Sequence, residues 1–312
     1  LKNTLKKRIK LKFDAIVTNP PYSNSSHKES KNTLWRKWFE FDKLIVDGGV
    51  FAEVIPASWM GSPPLMKKYF LDEEGLKRNI TYLNRDECKK HFPSIGSNYS
   101  YFVYLKERYE NKTEVIAKNV NGEVEEGTIN LNDLIFGVIP KDLSKQAESI
   151  LSKTLDGTVP LGILNTTVCH ANNKHLWRDN PDGKFKYPIE RTPKKIIYYN
   201  KKHPHQDLPK IIIPTTTYFR SMYYSVNGTS QSFCYYNLKD GQDKDIVINN
   251  INNKLFDYLN ECFRYSNWNS VNLLRILPEV PMDRKMSDSE IYEYFELTTD
   301  EINRVEEIIL WR

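Results

Sequence analysis

The stretch that decides the fold lies near the start of the chain and reads Phe13-Asp14-Ala15-Ile16-Val17-Thr18-Asn19-Pro20-Pro21-Tyr22. Its first six residues are mostly apolar and β-prone, which predicts a buried strand. The two prolines fix φ and remove two backbone donors, so the chain cannot continue as a sheet ladder or begin a helix there. The sequence therefore predicts a strand that ends in a stiff loop, at the edge where open α/β sheets bind ligands.

Composition sets the broad class of the protein. The chain has 312 residues, of which 39% are hydrophobic and 12% aromatic, and this is enough for one large or two medium globular domains. Lysine and arginine exceed aspartate and glutamate by 45 to 40, so the net charge of +5 permits a polyanionic partner without requiring one. No apolar run approaches the roughly 18 residues of a membrane span. We expect a cytoplasmic protein with no membrane partner.

The cysteines and histidines do not predict a metal site. The four cysteines are far apart in the sequence and form no Cys-x-x-Cys pair, which favours buried, reduced thiols. They are Cys88, Cys169, Cys234 and Cys262. His203 and His205 flank a proline in a lysine-rich segment, and this pattern is more typical of a solvated or phosphate-facing turn than of a metal site.

The first third of the chain shows the alternation of an α/β sheet. A helix is predicted over 34–46, a strand over 50–55 that again ends in proline, and a second helix over 63–78. Two further strands are predicted at 80–83 and 99–106. The two apolar strands joined by a helix favour a parallel pair, and the later two strands favour an antiparallel pair at its edge. We interpret residues 1–110 as part of a doubly wound α/β domain.

The rest of the chain predicts a smaller α+β domain over 111–282 and an acidic helical tail over 283–312. Helices are expected at 144–155 and 246–264, and strands at 194–199 and 210–213. Charged, asparagine-rich residues from 107 to 127 predict a linker with a hairpin. From residue 184 to residue 220 there are nine basic residues against two acidic ones, whereas the tail has nine acidic against four basic.

Three blocks of the sequence together resemble one enzyme family, the N6-adenine DNA methyltransferases that carry a target-recognition domain at the C-terminus. The first block is the opening stretch, the second spans Gly48 to Trp59, and the third is Phe92-Pro93 followed by Tyr99 to Lys106. The resemblance implies the C-terminal half of a Rossmann-like methyltransferase sheet, followed by a DNA-recognition domain. It further implies S-adenosylmethionine as the cofactor and double-stranded DNA as the partner.

The resemblance also implies roles for the loop residues. Such enzymes flip the target adenine out of the duplex. Asn19, through its side-chain oxygen, and Pro20, through its carbonyl, would accept hydrogen bonds from the N6 amino group, with Pro21 completing the motif. Tyr22 and Phe92 would stack on the base, although Phe92 could equally be a core aromatic residue.

The basic stretch is the candidate DNA-binding surface, because lysine and arginine supply phosphate contacts that carry no sequence information. A solvated loop is the alternative interpretation. The predicted contacts are Lys194, Lys195, Lys201, Lys202, Lys210 and Arg220.

The cofactor site is the main departure from the family pattern. The glycine-rich loop that holds the cofactor normally precedes the Asn-Pro-Pro-Tyr strand, yet only 18 residues precede Asn19 and none of the 13 glycines forms a Gly-x-Gly. We therefore expect the cofactor-binding half to lie on a missing N-terminal segment or a second chain, and expect this polypeptide alone to be inactive. Two alternatives remain open: a methyltransferase of protein glutamine or an RNA base, and a non-catalytic DNA-binding specificity subunit.

Overall fold

The computed structural model describes residues 11–22, 34–70, 77–83, 93, 98–107, 110–118, 124–193, 195–215, 221–265 and 268–310. The chain forms two compact units, Leu1–Leu143 and Ser144–Arg312. Each unit has its own sheets and its own apolar core, and the two are described separately.

The first unit contains a six-stranded sheet with the spatial order β1-β2-β4-β3-β5-β6. Its strands are β1 (Phe13–Thr18), β2 (Ile45–Pro56), β3 (Lys77–Leu83), β4 (Tyr99–Leu105), β5 (Thr113–Lys118) and β6 (Val124–Ile129). β1 runs parallel to β2, while β4 runs antiparallel to both β2 and β3. The predicted parallel pair and antiparallel pair are thus confirmed. The antiparallel pair does not lie at the edge of the sheet, because β5 and β6 extend it further.

The first unit extends beyond the predicted boundary at residue 110. β5 pairs in parallel with β3, and β5 and β6 pair antiparallel as a hairpin. The hairpin expected in the segment after residue 107 is therefore present, but its strands belong to the first sheet instead of a linker. The boundary between the two compact units in the sequence consequently lies between residues 143 and 144.

The prediction that β1 is buried is wrong. β1 pairs only with β2 and forms the first strand in the order of the sheet. Val17 is 80% exposed and Phe13 is 43% exposed, and only Ile16 and Thr18 are half-buried. An apolar run in the sequence predicts a strand but does not predict how many strands pair with it. Within the described residues, no strand pairs with the outer side of β1.

A glycine-dependent irregularity joins β1 to β2. The register changes from Phe13 opposite Ile45 to Ala15 opposite Val50, so four residues of β2 are accommodated as a bulge. Gly48 in this bulge has a φ of +78°. A Cβ on Gly49 would lie 2.5 Å from the Ile45 side chain and 2.9 Å from the Asp14 carbonyl oxygen. Only glycine therefore lets the two strands approach here.

Most helical segments of the first unit contribute side chains to its apolar core, the exception being the one at Ile135–Gly137, which has no buried residue. The helical segments are 3-10 helices at Leu34–Leu44, Ala57–Trp59, Leu131–Asp133 and Ile135–Gly137, and helix α1 at Pro63–Tyr69. The first of these ends two residues before the predicted boundary, and α1 is shorter than the predicted helix at 63–78. Phe102 on β4 lies at the centre of the aromatic core, with its ring 5.7 Å from Phe39, 5.2 Å from Phe70 and 5.7 Å from Phe51.

The second unit contains two four-stranded sheets and six α-helices within its described residues. The strands are β7 (Leu164–Asn165), β8 (Trp177–Arg178), β9 (Tyr187–Thr192), β10 (Lys195–Tyr199), β11 (Lys210–Pro214), β12 (Tyr223–Ser225), β13 (Gly228–Thr229) and β14 (Phe233–Asn237). The sheets have the orders β13-β9-β10-β8 and β12-β11-β14-β7. The helices are α2 (Lys145–Leu155), α3 (Lys244–Ile251), α4 (Lys254–Phe263), α5 (Val271–Leu274), α6 (Asp288–Tyr294) and α7 (Thr299–Leu310), and a 3-10 helix spans Lys174–Leu176.

The predicted helices of the second unit are present, with one interruption. The segment at 246–264 forms two helices, because Asn253 caps the second by accepting a hydrogen bond from the Phe256 backbone N–H. The acidic tail is not separate from this unit, since α7 packs against α2 and α4. Ion pairs of 2.8 Å from Lys153 to Glu301 and 2.6 Å from Lys254 to Glu306 join these helices.

The three cysteines within the described residues, Cys169, Cys234 and Cys262, are buried, reduced thiols, as predicted. Cys88 lies outside the described residues.

Glu53 on β2 is one of two acidic residues that are buried in the described part of the first unit, the other being Asp142. Glu53 is 1% exposed, and neither of its carboxyl oxygens has a hydrogen-bond partner in that part of the chain. Burial raises its pKa from 4.5 to about 8, because the charged form loses its hydration. Glu53 is therefore a neutral carboxylic acid at neutral pH in the folded chain.

We predict that Glu53 makes the first unit less stable as the pH rises. The unfolded chain releases this proton above pH 4.5, whereas the folded chain keeps it until about pH 8. The contribution of this proton to the free energy of unfolding is fully present below pH 4.5 and is lost as the pH rises through about 8. Its size is about 1.4 kcal/mol for each unit by which the folded pKa exceeds the unfolded pKa. Urea unfolding from pH 5 to pH 9 should show a weaker decline in Glu53→Gln than in the wild type.

The matched control for this measurement is Glu126→Gln, which changes an exposed glutamate in β6 of the same sheet. Equal pH dependence in the wild type and Glu53→Gln would contradict the assignment of a buried, neutral Glu53.

Candidate functional site

The loop that follows β1 is ordered by its own side chains. The Tyr22 hydroxyl donates a hydrogen bond of 2.6 Å to Oδ1 of Asn19, and the Tyr22 carbonyl accepts one of 3.2 Å from the Leu34 backbone N–H. Pro20 is buried, whereas Asn19 and Pro21 are exposed. The prolines restrict the backbone of the loop, and the hydrogen bond from Tyr22 orients the Asn19 side-chain amide. The Asn19 acceptor oxygen therefore has a defined orientation.

An aromatic platform lies beside this loop. The ring centres of Tyr22 and Tyr99 are 5.1 Å apart, with an angle of 44° between the ring planes. Tyr99 is the first residue of β4 and lies opposite Pro56 of β2. The sequence prediction included Tyr99 only as part of a strand and chose Phe92 as the second stacking residue. Phe92 lies outside the described residues.

The loop offers hydrogen-bond acceptors to a planar amine. An amide oxygen has two lone pairs, so Oδ1 of Asn19 can accept a second hydrogen bond while it holds the Tyr22 hydroxyl. The backbone carbonyl oxygens of Pro20 and Pro21 are also hydrogen-bond acceptors. The chemistry of the loop therefore fits a ligand that donates N–H groups and presents a flat face to Tyr22.

Glu53 is the buried ionisable residue next to this loop. On β2 it lies directly opposite Thr18, the residue that precedes Asn19. Its other register partner is Phe102 on β4. The sequence analysis assigned no role to Glu53, although one signal was available: Glu53 shares the face of β2 that carries Phe51 and Ile55, and both of those are fully buried.

Three of the predicted DNA-binding lysines lie at the surface of the second unit. Lys195 forms an ion pair of 2.6 Å with Asp179, and Lys202 forms one of 3.4 Å with Asp207. Lys201 is also exposed. All three ammonium groups are accessible to a polyanion. Lys194 and Arg220 lie outside the described residues.

Lys210 cannot contact DNA in this structure, and its prediction as a phosphate contact is wrong. Its side chain is fully buried, and its ammonium group donates to the carbonyl oxygens of Leu208, Val226 and Asn227 at 2.5, 3.2 and 3.0 Å. Desolvation lowers the pKa of Lys210 to about 8. The lysine begins strand β11, whose five residues are all buried, and this burial overrides the tendency of lysine to lie at the surface.

His203 is buried and His205 is half-buried, whereas the prediction was a solvated or phosphate-facing turn. His203 is 1% exposed, and its Nε2 lies 3.2 Å from the Thr229 hydroxyl. Burial lowers the pKa of His203 to about 4. Nδ1 of His205 lies 2.9 Å from the Tyr235 hydroxyl. The histidines therefore join the loop to β13 and β14.

Aromatic rings support two arginines near the exposed lysines. The Arg178 guanidinium carbon lies 4.3 Å from the centre of the Phe185 ring, and that of Arg191 lies 4.7 Å from the Trp177 ring. The sequence analysis included Arg191 only within the basic stretch and did not consider Arg178, which precedes it. The pairing of Arg178 with Tyr198 across β8 and β10 is a tertiary contact that composition cannot reveal.

The described residues contain neither a metal-binding cluster nor a membrane span. Within that part of the chain, no group of three or more histidine, cysteine, aspartate or glutamate side chains is arranged to hold a metal ion. No helix there is both long and apolar enough to cross a membrane.

No protein-family model matches the sequence, and no curated protein matches it either. Among solved structures, matches include two restriction-modification enzymes and one restriction endonuclease. The first is the Type IIL restriction-modification enzyme MmeI in complex with DNA, with 8% identity and a TM-score of 0.45 over 83% of this chain and 46% of that chain. The second is a nuclease-deletion mutant of the Type ISP restriction-modification enzyme LlaGI in complex with a DNA substrate mimic, with 11% identity and a TM-score of 0.46 over 90% of this chain and 41% of that chain. The third is the type IIG restriction endonuclease BpuSI, with 10% identity and a TM-score of 0.28 over 85% of this chain and 43% of that chain. This chain thus spans less than half of the length of each of these structural neighbours.

Proposed function

We propose that this chain carries the target-base site and DNA-recognition domain of an S-adenosylmethionine-dependent DNA methyltransferase that modifies N6 of adenine. The observation that carries the proposal is the geometry of the loop after β1. The Tyr22 hydroxyl fixes the Asn19 acceptor at 2.6 Å, and the Tyr22 ring lies 5.1 Å from Tyr99. The loop follows the carboxyl end of a strand that is parallel to its neighbour, which is a ligand-binding position in open α/β sheets.

The loop residues would act on the exocyclic amine of a flipped adenine. That nitrogen is a poor nucleophile because its lone pair is conjugated with the purine ring. Hydrogen bonds from its two protons to Asn19 Oδ1 and to the Pro20 carbonyl would localise the lone pair and orient it. The Tyr22 ring would hold the base by stacking, a contact worth about 1–3 kcal/mol per base in single-strand binders.

S-adenosylmethionine would supply the methyl group as a sulfonium electrophile. The described residues provide acceptors that suit the amino groups of either the base or this cofactor, namely the Asn19 amide and the buried carboxyl of Glu53. The chain's own contribution is to bind and orient the amine.

The second unit would bind the DNA backbone. Lys195, Lys201 and Lys202 provide accessible charge, and the arginines at 178 and 191 are held on aromatic rings. Contacts of this kind give affinity that does not depend on sequence and that falls with salt concentration.

We predict that Asn19→Ala reduces methyl transfer about 100-fold or more, in line with the loss of one preorganised polar group from an active site. DNA affinity should remain within twofold, because the loop contributes no charge. Tyr22→Phe keeps the ring but releases Asn19, so its methyl transfer should fall about tenfold. Transfer of labelled methyl groups to DNA by the product of the complete gene measures both effects, and fluorescence anisotropy measures DNA affinity.

The control is Asn132→Ala, an exposed asparagine in the same unit, which should behave as the wild type. N6-methyladenine formation by Asn19→Ala at the wild-type rate would reject the proposed role of the loop. A wild-type protein that binds DNA but transfers no methyl groups would instead favour a specificity subunit.

We also predict that a triple variant with alanine at Lys195, Lys201 and Lys202 binds DNA more weakly and with less salt dependence. Removal of each lysine–phosphate interaction should reduce the slope of log affinity against log salt by about 0.9. Fluorescence anisotropy of labelled duplex DNA across a salt titration measures this slope.

A triple variant with alanine at Lys145, Lys244 and Lys285 removes the same charge from other exposed positions of the second unit and serves as the control. Equal slopes for the two triple variants would mean that only net charge matters, and this would overturn the assignment of the surface.

A further inference from the structure

Glu53 differs from the other buried charged residues because no group in the described part of the chain satisfies it. Glu190 in the second unit is 6% exposed, and its carboxylate accepts hydrogen bonds from Ser225, Asn227 and Tyr223. Lys210 is fully buried and donates to three carbonyls. Both oxygens of Glu53 are equally buried and have no such partner among the described residues. An unsatisfied buried polar group destabilises a fold, so its presence requires an explanation.

The position of Glu53 connects it to the candidate site. It lies in the row Thr18, Glu53, Phe102 that crosses β1, β2 and β4. Adjacent strands are about 4.8 Å apart, so a single strand separates the Glu53 backbone from the edge of the sheet. Thr18 on that strand is half-buried and is followed directly by Asn19.

The hydroxyl-bearing neighbours of Glu53 in the described sheet, Thr18 and Ser100, do not donate to its carboxyl group. Phe51 and Ile55 lie on the same face of β2, and Phe102 lies opposite, so these neighbours are apolar. Ser100 lies two residues from Phe102 along β4, and its hydroxyl donates to the Ile55 carbonyl at 3.4 Å while it accepts a hydrogen bond of 2.8 Å from the Trp59 indole N–H.

We propose that Glu53 is a ligand-contacting residue of the Asn19–Tyr22 site and that its carboxyl group accepts a hydrogen bond from an amino group of the bound ligand. The proposal rests on the proposed function, which supplies two ligands with this chemistry. One is the neutral exocyclic amine of adenine, and the other is the cationic ammonium group of S-adenosylmethionine. A carboxyl group can serve either, because it accepts from a neutral amine when protonated and pairs with a cation when ionised.

The two sources predict different behaviour for conservative variants. Glutamine at this position keeps a neutral acceptor oxygen of the same reach, so Glu53→Gln should retain the binding of a neutral amine. The same change removes the negative charge, so it should weaken the binding of an ammonium group. Glu53→Met keeps a similar volume and no acceptor, and should weaken both.

The test is isothermal titration calorimetry on the product of the complete gene, with S-adenosylmethionine, adenosine and purine riboside as separate probes. Purine riboside lacks the exocyclic amine and is the ligand control. We expect Glu53→Met to bind S-adenosylmethionine or adenosine at least tenfold more weakly than the wild type, with the affinity for purine riboside unchanged. A loss confined to S-adenosylmethionine, and shared by Glu53→Gln, identifies the ammonium group. A loss confined to adenosine, and absent in Glu53→Gln, identifies the base.

A structural control separates the removal of a ligand hydrogen bond from disturbed packing. Ser100→Ala on the neighbouring strand removes the acceptor of the Trp59 indole, and should reduce stability while leaving all three affinities within twofold. Glu53→Met should do the opposite, with raised urea stability and reduced amine affinity. Unchanged affinity in a stably folded Glu53→Met would overturn the proposal, as would a wild type that binds neither amine probe.

The same proteins distinguish this inference from the proposed function. A wild type that binds an amine probe through Glu53 but forms no N6-methyladenine would support the contact and reject the reaction. A wild type that methylates DNA while Glu53→Met binds and reacts equally well would reject the contact and leave the reaction supported.

Discussion

The parallel pairing of β1 with β2 is the constraint on which the candidate site depends. Thr18 lies opposite Glu53, so this pairing sets both the point where the loop leaves the sheet and the residue buried beside it. The pairing requires the bulge of β2 at 46–49, in which Gly49 allows the Asp14 carbonyl to approach. A side chain at Gly49 would separate the strands, and the loop would lose its position relative to β2.

Three buried ionisable residues of the second unit differ from Glu53 in their surroundings. In the second unit, Glu190, Lys210 and His203 all have polar partners within the described residues, and these contacts join β9, β11 and β13 to their loops. Such networks specify a structure and need no ligand to complete them. Burial raises the pKa of Glu53 in the first unit, and no hydrogen bond from the described residues offsets this effect. A buried carboxyl group without hydrogen-bond partners is more informative about function, since packing alone would favour an apolar side chain there.

The sequence predicted the strand and loop at 13–22, the parallel and antiparallel pairs, and most helices of the second unit, because these depend on local patterns and on proline. It failed at Val17 and Lys210, where the environment is set by strands distant in sequence. A strand's periodicity does not reveal whether a neighbour lies beyond it, and lysine is buried only when carbonyls such as Leu208 and Val226 converge on it. The alternation of Phe51, Glu53 and Ile55 was visible in the sequence and was missed.

The acceptors of the first unit come from two adjacent strands. Asn19 follows β1 and holds the Tyr22 hydroxyl on an oxygen that has capacity for another donor, while Glu53 on β2 has no donor at all in the described chain. Acceptors without donors at this end of the sheet favour a ligand that presents N–H groups to them. Tyrosine rings lie beside Asn19, whereas the apolar side chains of Phe51, Ile55 and Phe102 surround Glu53. The exocyclic amine of the proposed adenine would supply two N–H donors, whereas a phosphate or carboxylate would place acceptors against acceptors.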